Sequence, residues 1–134
     1  MKPPCMIVVQ YILPAIRVLI MKNLIEKHHM RKIDVSAKMD LTPAAITQYL
    51  KGERGAMFVD KVAKSAKTMS ILSELAEALA EGNVPAETIL NKLCNACVTL
   101  RSEGIICWLH KKDLPTLKED KCEICKPCKF GAPK

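Results

Sequence analysis

Aromatic residues are scarce in this chain: one Trp, two Tyr and two Phe, 4% of 134 residues. A platform of stacked rings for single-stranded nucleic acid is thereby disfavoured, and the core has to be aliphatic, which suits helices. Glycine is sparse too, with five residues and no clustered run of the kind that cradles a phosphate. No Ser/His/Asp arrangement or paired-carboxylate setting emerges, so no enzymatic activity is expected. The most apolar stretch, residues 6–21, is interrupted by Gln10, Pro14 and Arg17. It falls short of the roughly 18 uncharged apolar residues that a spanning helix needs, and no membrane segment is expected. The opening MKPPC has neither a basic lead into an apolar run nor a small-residue cleavage site, so the expectation is a cytoplasmic protein with reduced thiols. A chain of 134 residues has room for one modest core, or a small domain with an appendage.

Basic charge, by contrast, is plentiful. Lys and Arg number 21 against 14 Asp and Glu, a net charge of +7 and a pI near 9.1. That balance favours a polyanionic partner, nucleic acid or an anionic membrane surface. Residues 1–56 hold 9 basic and 4 acidic residues, net +5, while 57–134 hold 12 and 10, net +2. The excess therefore travels with the N-terminal segment.

The hydrophobic periodicity predicts an all-α chain. In 13–29, Ile16, Leu19, Ile20, Leu24 and Ile25 recur at helical spacing, with Pro14 suited to a first turn. The preceding MIVVQYI reads as either a short separate helix or an extended arm. Short helices follow over 31–39 and 43–51, the latter opened by Thr42 as N-cap with Pro43 behind it and ended by KGERG. Residues 69–81 and 85–103 give two longer helices, closed by Gly82 and Gly104. Beyond Gly104, prolines and charges without a period predict irregular chain.

The segment KIDVSAKMDLTPAAITQYLKGERG has the pattern of two helices that bury one another across a tight turn. Val35 and Met39 lie one turn apart, Ser36 and Ala37 are small enough for close approach, and Leu41 plugs the turn. Ile46, Tyr49 and Leu50 give the second helix its inner face. Asp40 stands at the turn position where glycine is usual, and Asp tolerates a left-handed backbone better than most residues.

These residues resemble the Cro/C1-type (phage-repressor-like) helix-turn-helix of transcriptional regulators. With the MKPPC start, the LPAIR helix and a Cys-rich tail carrying CWLH, most of the chain resembles a family of small predicted archaeal regulators. The resemblance implies that the second helix enters the major groove of double-stranded DNA and presents Thr42, Ala44, Ala45, Thr47, Gln48 and Lys51. Gln48 can pair with the adenine edge, Thr47 can donate or accept, and Ala44 or Ala45 can lie against a thymine methyl. Thr42, Lys51, Arg54, Arg31 and Lys32 suit phosphates. One such helix reads only a few base pairs, so a homodimer on half-sites roughly 34 Å apart is expected. The apolar face of 69–81 and the MIVVQYI arm are its candidate interfaces.

Six of the seven cysteines fall within 35 residues: Cys94, Cys97, Cys107, Cys122, Cys125 and Cys128. Two Cys-x-x-Cys pairs separated by 24 residues are a metal-binding signal, and ligation can fold a tail that has no core. Zinc would take Cys94, Cys97, Cys122 and Cys125, with Cys107 or His110 as a substitute. Zinc leaves the third cysteine of Cys122, Cys125 and Cys128 idle, whereas a four-iron four-sulfur cluster uses such a run for three corners. The iron–sulfur cluster is therefore slightly favoured, and Zn2+ is the alternative. Cys5 reads as a buried thiol, His28 and His29 as complements to a helix C-terminus, and Trp108 as a small anchor for the tail.

The expected organisation is a helix-turn-helix DNA-binding bundle over 1–56, a helical connector or dimerisation region over 57–93, and an irregular cysteine-rich metal module over 94–134. The expected function is a sequence-specific transcriptional regulator with a cysteine-ligated metal, an iron–sulfur redox or iron sensor in the favoured form. The alternative is a structural zinc protein contacting RNA or a protein partner.

Overall fold

The computed structural model describes residues 4–52 and 58–105, and among them the regular structure is entirely helical. The elements are α1 (Pro4–Ile7), a π-helical turn (Val8–Ile12), α2 (Leu13–Glu26), α3 (Lys32–Lys38), α4 (Pro43–Leu50), α5 (Val59–Ala63), α6 (Ala66–Glu81) and α7 (Ala86–Ser102).

The MIVVQYI segment is neither a separate helix nor an extended arm; it runs unbroken through the π turn into α2. Pro14 has no N–H to give the Gln10 carbonyl, and in a regular α-helix its ring would collide with that carbonyl. The turn above it widens instead, and the Leu13 N–H bonds to the Val8 carbonyl five residues back. The same widening keeps the apolar face in phase. Ile7 and Ile12, five apart, are both fully buried, and burial continues at Ile16, Ile20 and Leu24.

Helix α2 is buried on several sides because α3, α4, α5 and α6 all pack on it. The continuous helix Cys5–Glu26 is long and apolar enough, by length and composition, to cross a membrane, with a mean hydropathy of 1.8. Its length therefore exceeds what the interrupted sequence run suggested. In this bundle its apolar surface forms the core with the four neighbouring helices. Met6 and Val9 near its start are exposed.

Helix α2 stops at Glu26, three residues before the expected end. His29 takes a left-handed conformation (φ 53°), and the Met30 N–H returns to the Leu24 carbonyl at 3.1 Å, which turns the chain into α3. Helix α5 has no counterpart in the sequence expectation. It brings Phe58 and Val62 into the core, with the Phe58 ring edge-on to Tyr11 at 5.8 Å. Helix α6 begins earlier than expected, because the Ser65 hydroxyl accepts the Thr68 N–H and caps it.

Helices α6 and α7 pack along each other, and α6 also packs on α2. Leu72, Leu75 and Ala76 are buried in this layer, so the α6 face considered for dimerisation is used inside the chain. At one end of the pair, Ser65 Oγ donates to Glu103 Oε1 at 3.1 Å. Midway, Lys92 Nζ donates to Glu74 Oε2 at 3.3 Å. At the other end Gly82 closes α6 at φ 80°. A Cβ there would lie 2.7 Å from Lys38 Nζ, the end of an exposed flexible side chain that can move aside, so it is the left-handed backbone that asks for glycine.

Candidate nucleic-acid interface

The link between α3 and α4 is built from backbone bonds. Past the last turn of α3, Asp40 adopts φ 53°, and the Leu41 N–H reaches back to the Ser36 carbonyl at 3.0 Å. This is the six-to-one bond of a Schellman stop, with Asp in the left-handed position that glycine most often fills. Leu41 and Met39 both pack against the core, to which Val35 belongs. Thr42 is extended (φ −75°, ψ 151°), and its Oγ1 accepts the Ala45 N–H at 3.1 Å; Pro43 then starts α4.

Across this turn Val35 and Ile46 are fully buried, Ser36 and Tyr49 nearly so, and Leu50 packs partly against the core. Ala37 is exposed and contributes no close approach between α3 and α4. The polar side of α4 faces outward. Thr42, Ala44 and Lys51 are exposed, while Thr47 and Gln48 are half-exposed. Ala45 is half-buried and packs against the core, leaving less of its methyl accessible than that of Ala44. The Thr47 hydroxyl donates to the Pro43 carbonyl at 3.2 Å, which keeps its lone pairs as acceptors. Gln48 carries a donor and an acceptor on one planar amide. Arg54 lies outside the described residues.

Helices α3 and α4 also carry cations at their surface. Lys32, Lys38 and Lys51 are exposed. Arg31 Nε donates to Asp34 Oδ2 at 3.1 Å in a solvent-exposed pair, a contact of the kind that adds little stability. From α2, Arg17 Nη1 donates to Tyr49 Oη at 3.1 Å. Sequence reasoning missed this link. Its one signal was a tyrosine on an inner helical face, where the hydroxyl needs a polar partner.

Of the six clustered cysteines, Cys94 and Cys97 are described. They stand three apart on α7, Cys94 exposed and Cys97 half-buried against the core. That spacing puts two thiols on neighbouring positions of one helix, enough for two ligands of a metal. Among the described residues no three His, Cys, Asp or Glu side chains converge, so further ligands would have to come from elsewhere. Cys107, Cys122, Cys125, Cys128, His110 and Trp108 lie outside the described residues. Cys5 is exposed rather than buried. In comparisons with protein-family models, curated proteins and solved structures, no match to this chain was found.

Proposed function

We propose that this protein is a sequence-specific, duplex-DNA-binding transcriptional regulator. In this reading α3 and α4 form a helix-turn-helix, the protein acts as a cytoplasmic homodimer, and its cysteine cluster binds a metal. The observation that carries the reading is α4 itself: a helix capped by Thr42, fixed on its inner face by Ile46 and Tyr49, and presenting Ala44, Thr47, Gln48 and Lys51 outward. Laid in a major groove, such a helix offers the Gln48 amide to an adenine edge, the Thr47 hydroxyl to a neighbouring base, the Ala44 methyl to a thymine methyl and the Lys51 ammonium to a phosphate. Lys51 attracts any duplex; Gln48 discriminates among them.

A duplex selected from random sequence tests this division of labour. Gln48→Ala should relax preference at one base pair at a cost of about 1–3 kcal/mol, whereas Lys51→Ala should weaken binding to every duplex and reduce the salt slope by about one. Unchanged binding in both variants sinks the assignment of α4. Binding to RNA or a protein but to no duplex would favour the structural zinc alternative.

A further inference from the structure

Among the described residues, helix α4 meets α2 through apolar burial and through a hydrogen bond. Ile46 and Tyr49 are buried in the aliphatic core, and the half-buried Arg17 donates from Nη1 to Tyr49 Oη across 32 positions of chain. The first kind is non-directional: apolar burial is governed by area and tolerates small rolls of one helix on another. The second fixes both a distance and an angle. Among the described residues the partner of the Arg17 guanidinium is this neutral phenol and not a carboxylate, and such a contact repays only part of the guanidinium's desolvation. Geometry gains more than stability does. Tyr49 directly follows Gln48 and precedes Lys51 by two residues, so the roll that Tyr49 adopts is also theirs. A roll of about 20° moves a side-chain end lying about 5–6 Å from the helix axis by about 2 Å, more than a paired hydrogen bond to a base edge accommodates.

We infer that Arg17 is a positioning residue: its hydrogen bond to Tyr49 Oη sets the roll of α4 on α2 and thereby aims Gln48 and Lys51. This deepens the DNA-binding reading and rests on it for its functional consequence, though not for its geometry. Two variants of the full chain separate the outcomes. Tyr49→Phe removes only the hydroxyl, and Arg17→Met keeps the aliphatic stem without the guanidinium. Residual dipolar couplings of the backbone amides report the orientation of α4 without any DNA. Both variants should change the couplings of α4 while leaving those of α6 and α7 as they were. In Tyr49→Phe, the ratio of affinities for the selected and a random duplex should fall about five- to tenfold, with random-duplex affinity and salt slope unchanged. Unaltered α4 couplings in both variants overturn the inference. So does a loss of random-duplex affinity and salt slope in Arg17→Met alone, which would make Arg17 a phosphate contact. Shifted couplings in a protein that binds no duplex would support the positioning role and refute the DNA-binding reading.

Discussion

Asp40 shows what one residue decides in this fold. At φ 53° it allows α3 to stop and α4 to leave at an angle, and the Leu41 N–H bond to Ser36 depends on it. An L-residue pays about 1–2 kcal/mol to sit there, and Asp reduces that cost through its short polar side chain. Asp40→Gly should therefore leave stability unchanged or raise it by up to about 1 kcal/mol, the relief of strain being offset by a freer unfolded chain. Asp40→Val, β-branched at a positive φ, should lower stability by about 1–3 kcal/mol. Urea midpoints of the two variants test this, and equal midpoints would mean that the turn does not hold a left-handed residue in solution. This turn was legible in the sequence because an Asp stood where glycine is usual, between Val35, Met39 and Leu41. His29, at the same φ, was not: nothing in the residues around it marks a reversal, and its geometry follows from how α2 must hand over to α3.

At the scale of elements, legibility followed the length and clarity of each apolar face. Helices α4, α6 and α7 stand close to their expected positions because their faces recur over two or more turns. Helix α5 spans only Val59–Ala63, too short for a period, and is held by Phe58 and Val62 entering a core that the rest of the chain creates. The π turn escaped notice for the opposite reason. Pro14 reads locally as a helix start, and only the burial of Ile7 five residues before Ile12 shows why the helix continues upstream instead. The Arg17 link to Tyr49 joins residues 32 positions apart, a distance at which no local pattern operates. The inner and outer faces of the α3–α4 unit also make a quantitative expectation. Ile46 is 0% exposed and Ile33 is 61% exposed. Ile46→Ala should cost about 2–5 kcal/mol by deleting core contacts and leaving a cavity, while Ile33→Ala should stay within about 0.5 kcal/mol. Thermal unfolding of the two variants checks the contrast, and comparable losses would place Ile33 in an interface that the single chain does not contain.

At the scale of the whole molecule, the packing order runs from α7 to α6, from α6 to α2, and from α2 to α4. Cys94 and Cys97 therefore stand on the first member of a series of packed helices whose last member carries Gln48 and Lys51. We propose that a metal held by these two cysteines, together with thiolates among Cys107, Cys122, Cys125 and Cys128, constrains α7 and biases how α4 is presented. An iron–sulfur cluster at such a site would make the constraint sensitive to oxidant, since its loss frees thiolates that can then oxidise. A zinc ion would act instead as a lasting brace. DNA affinity of metal-loaded and metal-free protein, compared in anaerobic buffer alongside Cys94→Ala and Cys122→Ala, separates these outcomes. The exposed Cys94 can lose its thiol at little cost in packing, so a change in its variant reports ligation rather than a damaged core. The expected result is a brown protein whose affinity shifts several-fold on exposure to air, with both variants already shifted. A colourless zinc protein whose affinity is indifferent to metal removal would refute the switch, and the case for α4 as the DNA-reading helix would stand on Gln48 and Lys51 alone.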